Sequence, residues 1–335
     1  MRTISAPLLA AQKSASAVPY LRVTMSDRIG GVHRLSWTRL YTGAEPDGYH
    51  AACMPGDGSL IRARVSGGHV YYQRVTSPGP ASDFSAWTDL GVAADAGVAL
   101  CANGSRVLLF YVDSGGVLIK VRESTDNGAT LGAAVTAATG AGTVTWLAAD
   151  VKSSGDALVA YNVGSTVYAA RRLSGVWGSP VAWPNTASSI AGIGCGYNAD
   201  WNLAIAGTDV AGQSFLWTTL VGDGYSQPAG TWASALKELM RSSAGSSVAY
   251  RAPFLSRIDT YRMTLVEQFT GTAAYARPYH AHSPASADFA FNFWREPTPF
   301  DVASTYGQAI AASMLSDPTG ALRYPPRRAV PVPAR

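Results

Sequence analysis

The stretch that decides the fold reads Ser124-Thr125-Asp126-Asn127-Gly128-Ala129-Thr130-Leu131. Asp and Asn side chains bond their own backbone in turns, and Gly accepts a positive φ without strain. Runs of strand-forming residues flank this stretch at 117–122 and 133–137. The pattern therefore predicts a β-hairpin whose turn has about four to five residues.

Composition extends this prediction to the whole chain. The 335 residues include 34 Gly, and only 14% of them are charged. Short apolar runs alternate with Gly, Asp, Asn and Ser, and long helical heptads are absent, which favours an all-β sandwich, barrel or propeller. The net charge of +4 is mild and no dense Arg/Lys run occurs, so we expect no nucleic-acid partner. No apolar stretch is long enough for a membrane-spanning helix.

A repeat of strands and turns runs along the chain. One large aromatic or apolar residue ends each unit, at separations of 44, 46, 55 and 62 residues: Trp87, Leu131, Trp177, Trp232 and Trp294. Each unit opens on a strand of small residues, and a turn and three further strands follow. Four strands in a repeat of this length are typical of β-propeller blades. Because a single blade cannot bury both of its faces, the blades must stack around an axis.

The repeat predicts five complete blades, and the two ends of the chain supply material for one more. The five units are 44–92, 93–141, 142–187, 188–240 and 241–300. A hairpin at 20–41 and a half-blade at 307–324 are predicted to join as a sixth blade that closes the ring. The alternative is a separate docking module at 20–41, with a ring of five or seven blades.

The predicted fold class is therefore all-β: a β-propeller of about six four-stranded blades with extended arms at both ends. Residues 1–18 are interpreted as an N-terminal arm rather than a signal peptide, because their apolar run is short and contains Pro7. Residues 19–324 form the propeller. Residues 325–335 form a C-terminal arm, because their prolines cannot donate the hydrogen bonds of a central strand.

The stretch 124–131 also resembles a known motif. Ser124, Asp126, Gly128 and Thr130 match the Asp box, S-x-D-x-G-x-T-W, of sialidase-like β-propellers, and Leu131 replaces the Trp. In that family the Asp and Ser/Thr side chains tie the turn between the third and fourth strands of a blade. The resemblance implies a structural role for these four residues. We call residues 124–131 the Asp-box-like turn.

Residues 19–66 carry a second resemblance. Their segments 19–23, 41–48 and 56–65 resemble the opening of propeller-bearing tail or baseplate proteins of tailed bacteriophages. This implies a non-enzymatic virion structural protein of a tail tip or fibre. Its partners would be other tail proteins, further copies of itself and a host-surface glycan or protein. Two alternatives stay open: a secreted, lectin-like propeller that binds glycans, and a sialidase-like glycosidase.

Catalytic chemistry has little support in the sequence. Sialidase-like enzymes need an arginine triad, a Tyr–Glu pair and an Asp acid, and the usual R-I-P opening has only Arg257-Ile258-Asp259 as its nearest counterpart. A retaining glycosidase needs two carboxylates about 5 Å apart, and sequence alone brings no two of the Glu residues together. We therefore predict no catalytic residues and no enzyme. The Glu residues are Glu45, Glu123, Glu238, Glu267 and Glu296.

No cofactor or metal is predicted. The cysteines Cys53, Cys101 and Cys195 are odd in number and lack C-x-x-C spacing, which argues against a zinc site or disulfide framework; we interpret them as small packing residues. His280 and His282 lie two residues apart, as a metal pair on one strand face would require. Nothing nearby suggests a third ligand, and no nucleotide-binding fingerprint occurs.

The remaining candidates are aromatic. Trp residues that end a blade either pack between blades or offer a flat platform on which a ligand stacks, and the sequence leaves both interpretations open. The candidate binding aromatics are Trp87, Trp177, Trp232 and Trp294.

Overall fold

The computed structural model describes an all-β chain. Backbone is described for residues 10–12, 20–25, 35–41, 49–76, 86–183, 187–197, 201–219, 236–241, 248–255, 262–269, 275–282, 292–294, 300–301, 309–312, 315–316 and 322–323. Side-chain burial is described for 51–76, 86–95, 97–182, 187–196, 203, 205 and 207–213. Every regular element in these ranges is a strand. Among them there is no helix with the length and apolar character that crossing a membrane requires.

Three short strands come first in the chain: β1 (Ala10–Gln12), β2 (Tyr20–Met25) and β3 (Leu35–Tyr41). Blade 1 follows with β4 (Tyr49–Cys53), β5 (Leu60–Ser66), β6 (His69–Val75) and the first part of β7 (Thr88–Asn103). Blade 2 has the second part of β7, then β8 (Arg106–Asp113), β9 (Leu118–Ser124) and β10 (Val135–Thr139).

Blade 3 has β11 (Val144–Val151), β12 (Ala157–Val163) and β13 (Thr166–Leu173), and its outer position is divided between β14 (Val176–Trp177) and β15 (Val181–Trp183). Blade 4 has β16 (Ala187–Tyr197), β17 (Trp201–Asp209), β18 (Ser214–Thr219) and β19 (Leu236–Arg241). Blade 5 has β20 (Val248–Leu255), β21 (Arg262–Phe269), β22 (Tyr275–His282), β23 (Asn292–Trp294) and β24 (Phe300–Asp301). Last come β25 (Ala309–Ala312), β26 (Leu315–Ser316) and β27 (Leu322–Arg323).

The second strand of each blade explains the continuous apolar runs in the sequence. Along β8, alternate residues point to opposite faces of the sheet. Leu108 and Phe110 belong to the core between blades 2 and 3, whereas Leu109 and Tyr111 belong to the core between blades 1 and 2. Both faces are therefore buried, and the strand has no polar side in its middle. The same holds for β12, whose two faces pack on blades 2 and 4.

The first strands of consecutive blades pack against one another, from β4 to β7, β11, β16 and β20. They form the innermost layer, where small side chains are required. Cys53, Cys101 and Cys195 lie in the first strands of blades 1, 2 and 4, buried and unbridged. Burial raises the pKa of the Cys53 thiol above its usual range. The interpretation of the cysteines as packing residues agrees with this placement.

These sheets confirm the predicted β-propeller: each of the five predicted repeat units supplies four antiparallel strand positions, and the first two units share the long strand β7 in one seven-stranded sheet. The described strands near the two ends form pairs of their own. Ala10–Gln12, in the segment interpreted as an arm, pairs with Ala309–Ala312. Among the described residues the hairpin β2–β3 pairs only within itself, and so does β26–β27. The predicted hairpin at 20–41 is present as β2–β3, and its predicted closure of the ring with 307–324 stays a prediction. The domain boundaries stay predictions.

Candidate functional site

The Asp-box-like turn joins β9 to β10, the third and fourth strands of blade 2. Asp126 accepts hydrogen bonds from Ser124 Oγ at 2.6 Å, from Thr130 Oγ1 at 2.6 Å and from Thr130 N at 3.0 Å. Ser124 Oγ in turn accepts one from Gly128 N at 2.8 Å. The hydroxyl of Ser124, followed by the two Thr130 donors, holds the pKa of the Asp126 carboxyl well below its usual range.

The same turn packs against blade 1. Tyr72 Oη donates to Gly128 O at 2.6 Å, and Arg74 Nε donates to Asn127 O at 2.8 Å. Gly128 has a φ of +76°, and a Cβ there would collide with Ile61 Cδ1 and lie 2.5 Å from Tyr72 Oη. The turn is thus a contact between blades, and its polar groups are engaged within the protein.

Trp87 lies over two arginines of its own blade. The guanidinium carbons of Arg62 and Arg64 lie 4.5 and 4.2 Å from its ring centroid, and Arg64 also lies 5.2 Å from the ring of Tyr71. Arg62 is fully buried and donates its Nε to Gln73 Oε1 at 2.8 Å. Cation–π contact within blade 1 therefore accounts for Trp87.

Trp177 lies at the junction of blades 2 and 3. Across the turn Ser174-Gly175, where φ is 47° and 84°, strands β13 and β14 place Trp177 directly opposite Arg172. The Trp177 ring meets Phe110 of blade 2 edge-on, with centroids 5.8 Å apart and an interplanar angle of 85°. Trp177 is half-buried and packs against the core between the two blades.

Beside this ring is a cluster of three charges. Glu123 of blade 2 forms ion pairs with Arg106 of the same blade and with Arg172 of blade 3, the latter at 2.8 Å between Nη2 and Oε2. The side chains of Arg106, Glu123 and Arg172 are 25%, 27% and 16% exposed. The Arg106 guanidinium packs against Gly155, in the β11–β12 turn of blade 3, and a Cβ on Gly155 would lie 2.9 Å from Arg106 Cζ. We call Arg106, Glu123, Arg172 and Trp177 the junction cluster.

The junction cluster combines planar polar groups with a half-buried aromatic residue. A carboxylate offers about four acceptor positions, and a guanidinium offers five donors in a fixed fork. Glu123 Oε1 pairs with the Arg106 guanidinium and Oε2 with the Arg172 guanidinium, and a carboxylate can accept further hydrogen bonds from a ligand's hydroxyls beside such pairs. The two guanidiniums hold the carboxylate in place by charge-assisted pairing. Such a group of convergent polar atoms around a flat apolar surface suits a neutral polar ligand with an apolar face.

The other predicted residues are placed as follows. Trp294 lies on β23 in register with His280 of β22; His282 lies two residues further along β22, and the side chains of all three fall outside the described residues. Trp232 also falls outside them. Over the part of the chain with described side chains, no group of three or more His, Cys, Asp or Glu residues comes together to hold a metal ion.

Sequence reasoning identified Trp177 as a candidate binding aromatic and named Glu123 only as one of five Glu residues, and it did not single out Arg106 or Arg172. A signal for Arg172 exists. Two consecutive residues with positive φ form the tight turn that joins paired strands, and recognising Ser174-Gly175 as such a turn would have placed Arg172 opposite Trp177. Arg106 has no comparable local signal, because its partner Glu123 lies 17 residues further along the chain, on the neighbouring strand.

Comparisons with known proteins place the chain by its fold. No protein-family model and no curated protein sequence matches it. Among solved structures it resembles AofleA from Arthrobotrys oligospora, with a TM-score of 0.54 and 10% identity over 82% of this chain and 77% of that one. It also resembles a protein from Lactobacillus plantarum, with a TM-score of 0.50 and 12% identity over 87% and 81%.

A weaker match is the Aleuria aurantia lectin in complex with α-methyl-L-fucoside, with a TM-score of 0.46 and 12% identity over 84% of this chain and 95% of that one. At these identities the likeness concerns the fold, and it rests on the first two structures. The strands and their pairing, together with these neighbours, make the chain an all-β protein of the β-propeller fold.

Proposed function

We propose that the chain is a carbohydrate-binding β-propeller whose ligand binds at the junction of blades 2 and 3. The observation that carries this proposal is the junction cluster: a partly exposed carboxylate, held by two guanidiniums, next to a half-buried indole. A sugar presents pairs of hydroxyls and one or more apolar faces. The charged groups would bond the hydroxyls, and Trp177 would cover an apolar face.

The competing explanation is that the cluster only fastens two blades together. Blade 1 has such a fastening, since Asp57 and Arg74 form an ion pair at 2.6 Å and Arg74 also bonds Asn127 O of blade 2. That junction carries no Trp at the place of Trp177, because Leu131 packs into the core there. The indole beside the charges is what favours a ligand between blades 2 and 3.

The experiment is a binding titration against a panel of monosaccharide glycosides, including α-methyl-L-fucoside and a sialoside. We expect the wild type to bind at least one of them. Glu123→Gln removes the charged acceptor, and Trp177→Leu removes the platform. Each is expected to weaken binding at least about 30-fold, as loss of a central contact does.

The matched control is Arg74→Gln, which breaks the ion pair of blade 1 and is expected to leave affinity within about twofold. Thermal unfolding of all variants separates folding from binding. If Glu123→Gln lowers the melting temperature but binds as the wild type does, the cluster only stabilises the contact between blades 2 and 3, and the proposal is wrong. If no member of the panel binds the wild type, the proposal also fails.

The role as a tail protein of a virion, and the virion localisation that goes with it, stay predictions from the resemblance of residues 19–66. Carbohydrate binding is compatible with host recognition by such a protein and equally with a secreted lectin. We also propose that the chain does not hydrolyse glycosides, since both ion-pair partners of Glu123 in the junction cluster are guanidiniums, whereas a glycosidase pairs two carboxylates.

A further inference from the structure

We propose that the carbohydrate site occurs once in the chain, so that each chain binds a single sugar ligand. This inference rests on the proposed function. A propeller repeats its blades, and a site built at one junction could recur at every junction. The register of the sheets in blades 1 to 3, where the structure describes the side chains, shows other residues at the positions of Arg106 and Glu123 in blades 1 and 3 and at those of Arg172 and Trp177 in blade 2.

The position of Glu123 is defined by its partner across the sheet. Glu123 lies opposite Leu108 of the second strand, and Leu108 faces the following blade. In blade 1 the corresponding pair is Ile61 with Arg74, since Ile61 also faces the following blade. In blade 3 it is Leu158 with Arg171. Both neighbours thus have a cation where blade 2 has the carboxylate.

The backbone confirms this equivalence independently. Gly132 N donates to Glu123 O at 2.8 Å, and Gly178 N donates to Arg171 O at 2.8 Å. Gly132 and Gly178 therefore correspond, and the residues before them, Leu131 and Trp177, correspond as well. The Trp177 ring, which lies opposite Arg172 in blade 3, therefore has an aliphatic counterpart in blade 2.

The residues equivalent to Arg106 in blades 1 and 3 also differ from it. It lies two residues before Leu108, and the equivalent residues are Ser59 before Ile61 and Asp156 before Leu158. The hydroxyl of Ser59 donates to Asp57 at 2.8 Å. Asp156 accepts a hydrogen bond from Ser174 N at 2.9 Å. Neither residue supplies a guanidinium.

Arg172 has a counterpart too. It lies opposite Ala157, which faces the preceding blade, and the equivalent pair in blade 2 is Val107 with Ser124. At the junction of blades 1 and 2 the Asp-box-like turn therefore occupies the place where blade 3 presents Arg172 and Trp177. Its Ser124 bonds Asp126, and its Gly128 lies against Tyr72. Residues of the Asp-box-like turn and of blade 1 therefore fill this junction.

The third strands of the remaining blades complete the comparison. Across the five blades that the structure describes, these strands are β6, β9, β13, β18 and β22, and Glu123 is the sole Asp or Glu in their sequences. A neutral sugar site that depends on a carboxylate at this strand can therefore form in blade 2 and in none of the other four. The protein would hold a sugar at one place on its rim and would not cross-link glycans as a monomer.

The test is the stoichiometry of binding, measured by titration calorimetry with the monosaccharide that binds best in the panel. We expect one ligand per chain, and we expect Glu123→Gln to abolish saturable binding altogether. Trp177→Leu provides a second variant with the same expected loss. Two or more ligands per wild-type chain, or saturable binding that survives both variants, would overturn the single site. Wild-type protein that binds no sugar defeats the proposed function itself, a result distinct from either of these.

Discussion

At the scale of single residues, the contact between blades 1 and 2 depends on one glycine. Gly128 combines a φ of +76° with a Cβ position that Ile61 and Tyr72 already occupy. Gly128→Ala adds a strained backbone, about 1–2 kcal/mol, to overpacking, about 1–3 kcal/mol. We expect the free energy of unfolding in urea to fall by about 3 kcal/mol.

The matched control for this substitution is Gly58→Ala. Gly58 has the same φ of +76°, but no atom lies within 4 Å of the Cβ that would be added. Only the backbone term applies, so the expected loss is about 1–2 kcal/mol. Equal losses at the two positions would show that the close approach of Gly128 to blade 1 has no energetic consequence.

Asp126 gives a prediction about pH. Hydrogen bonds from Ser124 and Thr130 lower its pKa in the folded state, so ionised Asp126 stabilises the fold. That contribution is fully present above the unfolded-state pKa, about 3.9, and is lost as the pH falls toward the folded pKa. Asp126→Asn removes it.

We therefore expect the melting temperatures of wild type and Asp126→Asn to differ most near neutral pH and to converge in acid below about pH 4. Because Ser124 is the largest cause of the lowered pKa, the gap measured in a Ser124→Ala background should shrink. A gap of constant size from neutral pH into acid would contradict this account.

At the scale of the strand pair, β5 and β6 bury a charge together. Arg62 lies opposite Gln73 in the register and bonds its side-chain oxygen, and Gln73 Nε2 bonds Ala86 O at 2.6 Å. Gln73→Leu takes this acceptor from a fully buried guanidinium. We expect a loss of about 2–4 kcal/mol in unfolding free energy, because a buried charged donor loses one of its hydrogen-bond acceptors.

The informative second variant is Arg62→Met combined with Gln73→Leu. Replacing a buried polar pair by apolar side chains of similar volume is often neutral, so the double variant should recover most of the stability lost by Gln73→Leu. Urea unfolding measures both. A double variant less stable than the single one would show that Arg62 contributes through Trp87 more than it costs through its burial.

The elements that the sequence predicted well are those with local signals. The turn at 124–131 contains its own donors and acceptors, so eight consecutive residues suffice to identify it. The strands of blades 1 to 3 follow from apolar runs between turn residues. The junction cluster is different: Glu123 and Arg172 come from successive blades, and their contact requires the stacking of two sheets. No short window of the sequence contains both.

At the scale of the whole molecule, the ends of the chain meet through β1 and β25. Ala10 and Ala11 pair with Ala312 and Ala311. Removing residues 1–12 deletes β1 and leaves an unpaired edge on β25. We expect a lower melting temperature and faster proteolysis than for the wild type. Removing residues 1–9 keeps β1 and is the matched control; equal behaviour of the two truncations would contradict a role for this pairing.

The proposed lack of glycoside hydrolysis concerns the protein as a whole. A glycosidase requires two carboxylates on either side of the scissile bond, and Glu123 is instead held between two guanidiniums. Prolonged incubation with aryl glycosides and a sialoside should release no product above background. Turnover that Glu123→Gln abolishes, while binding persists, would overturn this prediction.

Ring closure marks the limit of the sequence-based prediction at this scale. Alternation identified the hairpin at 20–41, and the structure contains it as β2–β3. The strand that pairs with β25 is instead β1, a run of three residues. Such a short strand has too few positions for periodicity to be recognised. Its pairing depends on a partner some 300 residues away, which no local pattern specifies.

Strand β7 has a consequence for how such a chain can be rearranged. It begins as the outermost strand of blade 1, where Thr88 pairs with Tyr72, and ends as the innermost strand of blade 2, where Asn103 pairs with Arg106. The border between two sheets therefore falls inside a continuous strand. A cut at the border between the two sheets would leave half a strand on each fragment. A gene duplication or deletion that adds or removes one blade would therefore have to begin and end at equivalent turns of two neighbouring blades.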